Sequence, residues 1–203
     1  MIRVRVQGFD DIRRKLAAIP RDMHARVIGP ALNKAADKAA AEIARAIPEE
    51  FAVKAAEVRN AVSIRRAAKG HLEAVVTVFG SKSRRGRSMN LVHFLVAYQA
   101  AGRAVKTRGA KAKARDLKAL GGQLGFLIKR AGGLKKIDGA FVGNKGRTVF
   151  RRTGDARLPI EPLQVIGFSQ MFASRKISAR VMQRVRADLP IEIDRALARL
   201  LAS

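Results

Sequence analysis

The residues that could do chemistry are few and poorly grouped. The three histidines, His24, His71 and His93, stand far apart, and none has a second histidine or a carboxylate three or four positions away. A helix-borne metal site needs its ligands at that spacing to bring them to one face, so the sequence predicts no metal and no cofactor. The carboxylates are scattered as well: Asp10-Asp11, Glu49-Glu50 and Asp155 do not form the cluster that holds two metal ions for phosphodiester hydrolysis. Gly121-Gly122-Gln123-Leu124-Gly125 has the glycines of a phosphate loop, but no Lys-Ser or Lys-Thr pair follows and no clear strand precedes it, which makes it a turn. The absence of cysteine removes thiolate chemistry and any disulfide framework. These patterns predict a protein that is not an enzyme.

What the chain does carry is positive charge. Lys and Arg number 42 against 16 acids, a formal net charge of +26 with a pI near 11.7. A field of that size calls for a negative counterpart: a phosphate backbone, an anionic membrane or an acidic protein surface. Two segments concentrate it. Lys82, Arg84, Arg85 and Arg87 fall in a Gly/Ser-rich stretch, and Lys106, Arg108, Lys111, Lys113, Arg115 and Lys118 crowd a segment whose one acid is Asp116. Both are expected to be flexible loops, over 81–90 and 103–120, that order on contact with a partner. Neither holds an aromatic residue, Tyr98 is the single tyrosine and there is no tryptophan. Base stacking is therefore unsupported, and any DNA contact is expected through the backbone with weak sequence preference. The longest apolar run, Leu91 to Tyr98, is interrupted by His93 and falls far short of the roughly 18 residues needed to span a bilayer. The opening Met1-Ile2-Arg3-Val4-Arg5-Val6 lacks the apolar core of a signal peptide, so the expected compartment is the cytoplasm, with no membrane partner.

Local periodicity supplies the elements that position these groups. Ile2 to Gln7 alternates like a half-buried strand, and a short helix carrying Ile12, Leu16 and Ile19 follows, capped by Asp10 or Asp11 and stopped at Pro20. A long helix is predicted from about Arg26 to Ile47, with Gly29-Pro30 in its first turn and Pro48 past its end. Its apolar stripe is Ile28, Leu32, Ala35, Ala36, Ala39, Ile43 and Ile47, and Lys38 is spaced to pair with Glu42. A short helix over Lys54 to Val62 leads to strands at Ile64 to Ala68 and Leu72 to Phe79, the second apolar on both faces and hence central. Leu91 to Gln99 is a strand or a buried helix. Leu124 to Arg130 and Lys135 to Val142 form a hairpin about Gly132-Gly133, and Thr148 to Arg152 is a further strand after turn material at Gly143 to Gly146. The end is helical from Gln170, capped by Ser169 and interrupted at Pro190, with Ile177, Val181, Val185 and Met182 inward. The strands are expected to make one mostly antiparallel sheet with the long helix lying across it, an α+β arrangement in a single domain spanning 1–203.

The order of three segments carries a resemblance. Gly146-Arg147-Thr148-Val149-Phe150-Arg151-Arg152-Thr153-Gly154 is a basic strand, Arg157-Leu158-Pro159-Ile160-Glu161 an extended proline-containing step, and Gly167-Phe168-Ser169-Gln170-Met171 a helix start. Together with Gly139-Ala140-Phe141 and the Ala-rich N-terminal helix, this resembles the minor tail protein Z family of tailed bacteriophages, most specifically from Ile137 to Met171. Members follow the Leu-Pro-Ile step with Gly-Pro-Ser where this chain has Gly167-Phe168-Ser169. The resemblance implies a tail-completion α+β fold with a long N-terminal amphipathic helix and C-terminal helices packed on a mostly antiparallel sheet. It also implies a structural virion protein that assembles as a ring, a hexamer, at the head-proximal end of the tail, joins the tail to the neck and surrounds the genome's path. Expected partners are copies of itself, other tail and neck proteins, and genome DNA through its backbone; expected locations are the virion and, during assembly, the host cytoplasm. Arg151 and Arg152, adjacent on a strand and so on opposite faces, are expected at the assembly interface with Arg157. The rival reading is a sequence-nonspecific nucleic-acid-binding or packaging protein.

Overall fold

Two long helices packed along one another carry four small antiparallel sheets in this computed structural model, which describes residues 2–3, 21–68, 71–80, 88–98, 106–107 and 124–202. The fold is α+β. The expected helix around Ile12 and the remainder of the first strand lie outside the described residues.

Helix α1 (Arg21–Glu50) begins before the expected Arg26 and runs through both Pro30 and Pro48. A proline inside a helix removes a hydrogen bond, so tertiary packing must offset it. That packing is with the C-terminal helix, α4 (Arg175–Leu201): Val27, Ala31 and Ala35 are buried against Leu189, Ile193 and Ala196. The stripe in the first half is thus one residue off the expected one, with Val27 and Ala31 fully buried and Ile28 and Leu32 only partly so. Alanines on the facing sides let the two backbones approach closely. At the other end, Arg130 satisfies helix-terminal carbonyls, donating from Nε to Pro48 O at 2.5 Å and from its backbone N–H to Glu50 O at 2.9 Å. Helix α4 likewise continues through Pro190, where an interruption was expected, because Leu189 and Ile193 on either side are held in the same interface.

The strands are two to five residues long and divide into separate sheets. After the short helix α2 (Ala55–Ala61), β2 (Val62–Arg65) pairs with β3 (Val75–Val78), which also pairs with β1 (Ile2–Arg3) and is therefore central, as its apolar faces suggested. Leu72, expected to open this strand, precedes it and is exposed. Residues 88–90, expected at the end of the first basic loop, form β4 (Ser88–Asn90) instead. The ambiguous apolar run is split: Leu91–Phe94 is a 3-10 turn and Leu95–Tyr98 is β5. Strand β5 lies between β6 (Lys106–Thr107) and β7 (Gly125–Phe126), and β7 pairs with β8 (Lys135–Lys136) as the expected hairpin. At φ +70°, Gly139 turns the chain out of that sheet, so the second arm of the hairpin is two strands instead of one. Strand β9 (Ala140–Gly143) belongs with β10 (Thr148–Arg152) and β11 (Ile160–Pro162), while β12 (Gln164–Ile166) pairs with β4.

One continuous apolar cluster lies beneath these sheets. Phe94, Phe126, Phe168, Phe172 and Met171 fill it, with Ile43 and Ile47 reaching in from α1 and Ile177 and Val181 from α4. The expected C-terminal helix from Gln170 is two pieces, α3 (Phe168–Phe172) and α4. Gly167, not Ser169, precedes the first: its N–H donates to the Gln170 side chain at 3.0 Å, while Ser169 is buried inside the helix.

Candidate assembly interface

Strand β10 forms because Thr148, Val149 and Phe150 are β-branched or aromatic and alternate in environment. Val149 is fully buried and fixes which face points inward. A side-chain amide secures it further: Asn90 Oδ1 accepts from the Val149 N–H at 2.9 Å, and Asn90 Nδ2 donates to the Val149 carbonyl at 3.3 Å. The same oxygen accepts from the Val92 N–H at 3.0 Å, so one asparagine ties β10 to the turn after β4. On the opposite face Phe150 lies across from Phe141, ring centroids 5.9 Å apart, and the Arg152 guanidinium sits 5.0 Å from the Phe141 centroid. Gly143 is needed beside this pair, because a Cβ there would meet the Phe150 ring at 3.0 Å. Arg151 is on the other face from Arg152, as the pleat requires. Every residue from 151 to 162 is exposed, although the segment is ordered as strand, turn and strand with a cis Leu158-Pro159 bond. Arg151, Arg152 and Arg157 therefore share one projecting hairpin.

The acids have a different disposition. Lys38 does not pair with Glu42; its Nζ reaches Glu192 at 2.8 Å and Asp188 at 3.4 Å on α4. Asp188 also takes Arg184 at 2.6 Å and Glu192 takes Arg195 at 2.7 Å. Buried Glu42 receives Arg180 at 2.7 Å and Arg45 at 3.4 Å, and Arg180 also pairs with Glu49. The hydrogen bond from Lys38 holds the Glu192 carboxyl below its ordinary pKa, against the opposing effect of burial, and Lys38 is raised by the same bond. Glu49 is lowered and Arg180 raised by the bond between them. Asp37, bonded to Arg66 at 2.8 Å, raises that guanidinium in the same way. The three buried carboxylates, Glu42, Asp188 and Glu192, thus hold α1 and α4 together.

Of the expected DNA- or partner-binding residues, Lys82, Arg84, Arg85, Arg87, Arg108, Lys111, Lys113, Arg115 and Lys118 lie outside the described residues. Lys106 is described in its backbone only, in β6 opposite Tyr98. His71 contacts Glu73 at 3.1 Å and His93 contacts Glu57 at 3.5 Å, pairs at spacings the helical rule did not cover. Among the described residues no three His, Asp or Glu side chains are grouped to hold a metal ion, and no helix is long and apolar enough to cross a membrane. An open groove of 490 Å³ beside α1 has Ala41, Ala44 and Ala55 in its lining and arginines at its rim; the one carboxylate lining it, Glu49, is bound by Arg180. Asn90 and the buried acids Asp188 and Glu192 were missed in the sequence. Asn90 follows a serine- and arginine-rich stretch and looks like turn material, while Asp188-Leu189-Pro190 looks like a helix break.

An α+β chain with an exposed arginine-bearing hairpin, whose buried acids Glu42, Asp188 and Glu192 are all ion-paired, has the features of an interaction protein. The profile of the prophage minor tail protein Z family matches residues 6–202, and the chain belongs to that family of structural phage tail proteins. Neither the curated proteins nor the solved structures compared with the chain include a significant match.

Proposed function

We propose that this minor tail protein works as one subunit of a ring, a hexamer, that completes the head-proximal end of the tail and joins it to the neck, without catalysing a reaction. The chain acts as a single domain over 1–203, made in the host cytoplasm and carried in the virion. Contacts with other tail and neck proteins pass through the basic strand and turn that hold Arg151, Arg152 and Arg157. The basic arms, Lys82 to Arg87 and Lys106 to Lys118, meet acidic neighbours or the DNA backbone in the channel. The observation that carries this reading is the hairpin of residues 151–162, exposed throughout and rich in arginine, on a chain whose buried acids are already paired internally.

The test is charge reversal. Arg151→Glu with Arg152→Glu should leave the isolated chain folded, since exposed substitutions shift stability by only about 0.5 kcal/mol; loss of the Arg152 contact with Phe141 adds about 0.5–1 kcal/mol at an exposed site. In a ring the like-charge contact recurs at every subunit, so assembly suffers far more than folding. Electron microscopy of lysates from a complemented prophage should reveal tails that do not complete or do not join heads. Normal infectious particles would remove these arginines from the interface.

A further inference from the structure

Exposed large apolar side chains are scarce on the described surface: Leu72, Leu158, Ile160 and Ile191. Two of these, Leu158 at 66 % and Ile160 at 36 % exposure, stand in the hairpin beside Arg157. Scattered single apolar residues are ordinary on a protein surface, but two on one projecting element, flanked by guanidinium groups, form a patch of mixed character.

Three occupants are conceivable: DNA, a second copy of this chain, or a different protein with an acidic face. A phosphate backbone complements the arginines but offers nothing that rewards covering Leu158 and Ile160. A second copy is disfavoured by charge. Asp37, Glu42, Glu49, Glu73, Asp188 and Glu192 are engaged by basic groups within the chain. In the hairpin itself Asp155 and Glu161 are outnumbered by Arg151, Arg152 and Arg157, so two copies meeting here present like charge to like. Strand addition is disfavoured too. Strand β11 is at the end of its sheet order but has only three residues, and Pro159 and Pro162 bracket Ile160 without N–H groups, which is how sheet edges are guarded against pairing. Recognition here runs through side chains.

We infer that the β10–β11 hairpin is a heterologous docking surface, on which Leu158 and Ile160 insert into an apolar depression of a different tail or neck protein while Arg157 and Arg152, which lies directly across from Ile160, meet acidic side chains at its rim. This rests on the tail role proposed above. The arrangement is an apolar anchor with a charged surround: the anchor supplies affinity by leaving water, and the arginines supply orientation and rate of encounter.

The experiment places a photo-crosslinker in assembled particles. Leu158→p-benzoylphenylalanine and, as a second position in the same exposed turn, Ala156→p-benzoylphenylalanine are expressed in a host whose prophage lacks the gene; Gln183→p-benzoylphenylalanine on the exposed side of α4 is the control. Particles are purified, probed for the chain, irradiated, and the crosslinked peptides identified by mass spectrometry. Expected is a crosslink from the hairpin positions to another tail or neck protein, at a peptide rich in Asp and Glu, that Gln183 does not give. Adding Arg157→Glu should lower its yield by about tenfold. A crosslink to a second copy, to DNA, to a peptide without acids, or to nothing in particles that contain the chain overturns the inference and leaves the tail role standing. If neither hairpin variant yields particles although both isolated chains melt like the unsubstituted protein, Leu158→Ser must lower infective titre at least tenfold and Leu158→Met must restore it; equal titres overturn the inference. Absence of the unsubstituted chain from purified particles sinks the tail role and the inference with it.

Discussion

Replacing Lys38 by methionine keeps the side chain's length and removes the charge that joins α1 to α4. Two contacts go, at 2.8 Å to Glu192 and 3.4 Å to Asp188, whose side chains are only 5 % and 9 % exposed. Each carboxylate keeps one arginine, Arg195 at 2.7 Å and Arg184 at 2.6 Å, so neither is stripped bare. The cost should fall between that of an exposed pair, about 0–1 kcal/mol, and that of a buried pair losing its sole partner, about 3–5 kcal/mol. Lys38 is itself partly solvated, which places the expectation near 2 kcal/mol, or a fall in Tm of about 4–8 °C for a chain of this size. Urea denaturation at neutral pH measures it, with Lys34→Met as the comparison: Lys34 is exposed on the same helix, and its loss should cost within about 0.5 kcal/mol. The pH dependence follows from the shifts. Glu192 has a lowered folded pKa, so its contribution is complete above the ordinary carboxylate range and is lost as pH falls through the folded value. Lys38 has a raised folded pKa, so its contribution is complete below the ordinary lysine range and is lost as pH rises through the folded value. The gap between the unsubstituted protein and Lys38→Met should therefore be level from about pH 5 to about pH 10 and close toward either extreme. Equal melts for Lys38→Met and Lys34→Met, or a gap that survives into strong acid, would refute the ion-pair account of this interface.

Asn90→Ala leaves the buried Val149 N–H without its acceptor and should destabilise the chain by about 1–3 kcal/mol in the same assay, whereas Asn90→Asp, which keeps an acceptor, should cost less. Ala39→Leu forces extra volume into a packed helix face and should cost about 1–3 kcal/mol; unchanged melting would show that α1 does not pack there. If the basic arms serve phosphate neutralisation, the protein should bind random duplex DNA with a log-log salt slope of about −0.9 per phosphate contacted. Replacing Lys106, Arg108, Lys111, Lys113 and Arg115 by Ser should flatten that slope, and absence of binding at low salt would assign the arms to protein neighbours.

Local pattern determined much of this protein. Period and punctuation located the two long helices, the short helix after Lys54, the strands on either side of residues 69–71 and the strand Thr148–Arg152, because an amphipathic face or a pleat is written in consecutive residues. The pleat alone put Arg151 and Arg152 on opposite faces, and composition alone gave the excess positive charge. Tertiary structure decided what those elements meet. Lys38 has Glu42 four residues away but takes Asp188, 150 positions distant, because α4 lies alongside α1 and brings two further-buried carboxylates within reach. Pro48 and Pro190 are helix stops by local rule, and Pro30 is tolerated only in a first turn, yet the helices pass through all three because burial along the α1–α4 interface outweighs the hydrogen bonds each proline removes. Strand character at Lys135 to Val142 was legible, but its division between two sheets was not, since strand partners are chosen by contacts far apart in the chain. The bonds from Asn90 to Val149 belong to the same class: a polar side chain that looks like turn material acquires its role only when another strand arrives beside it.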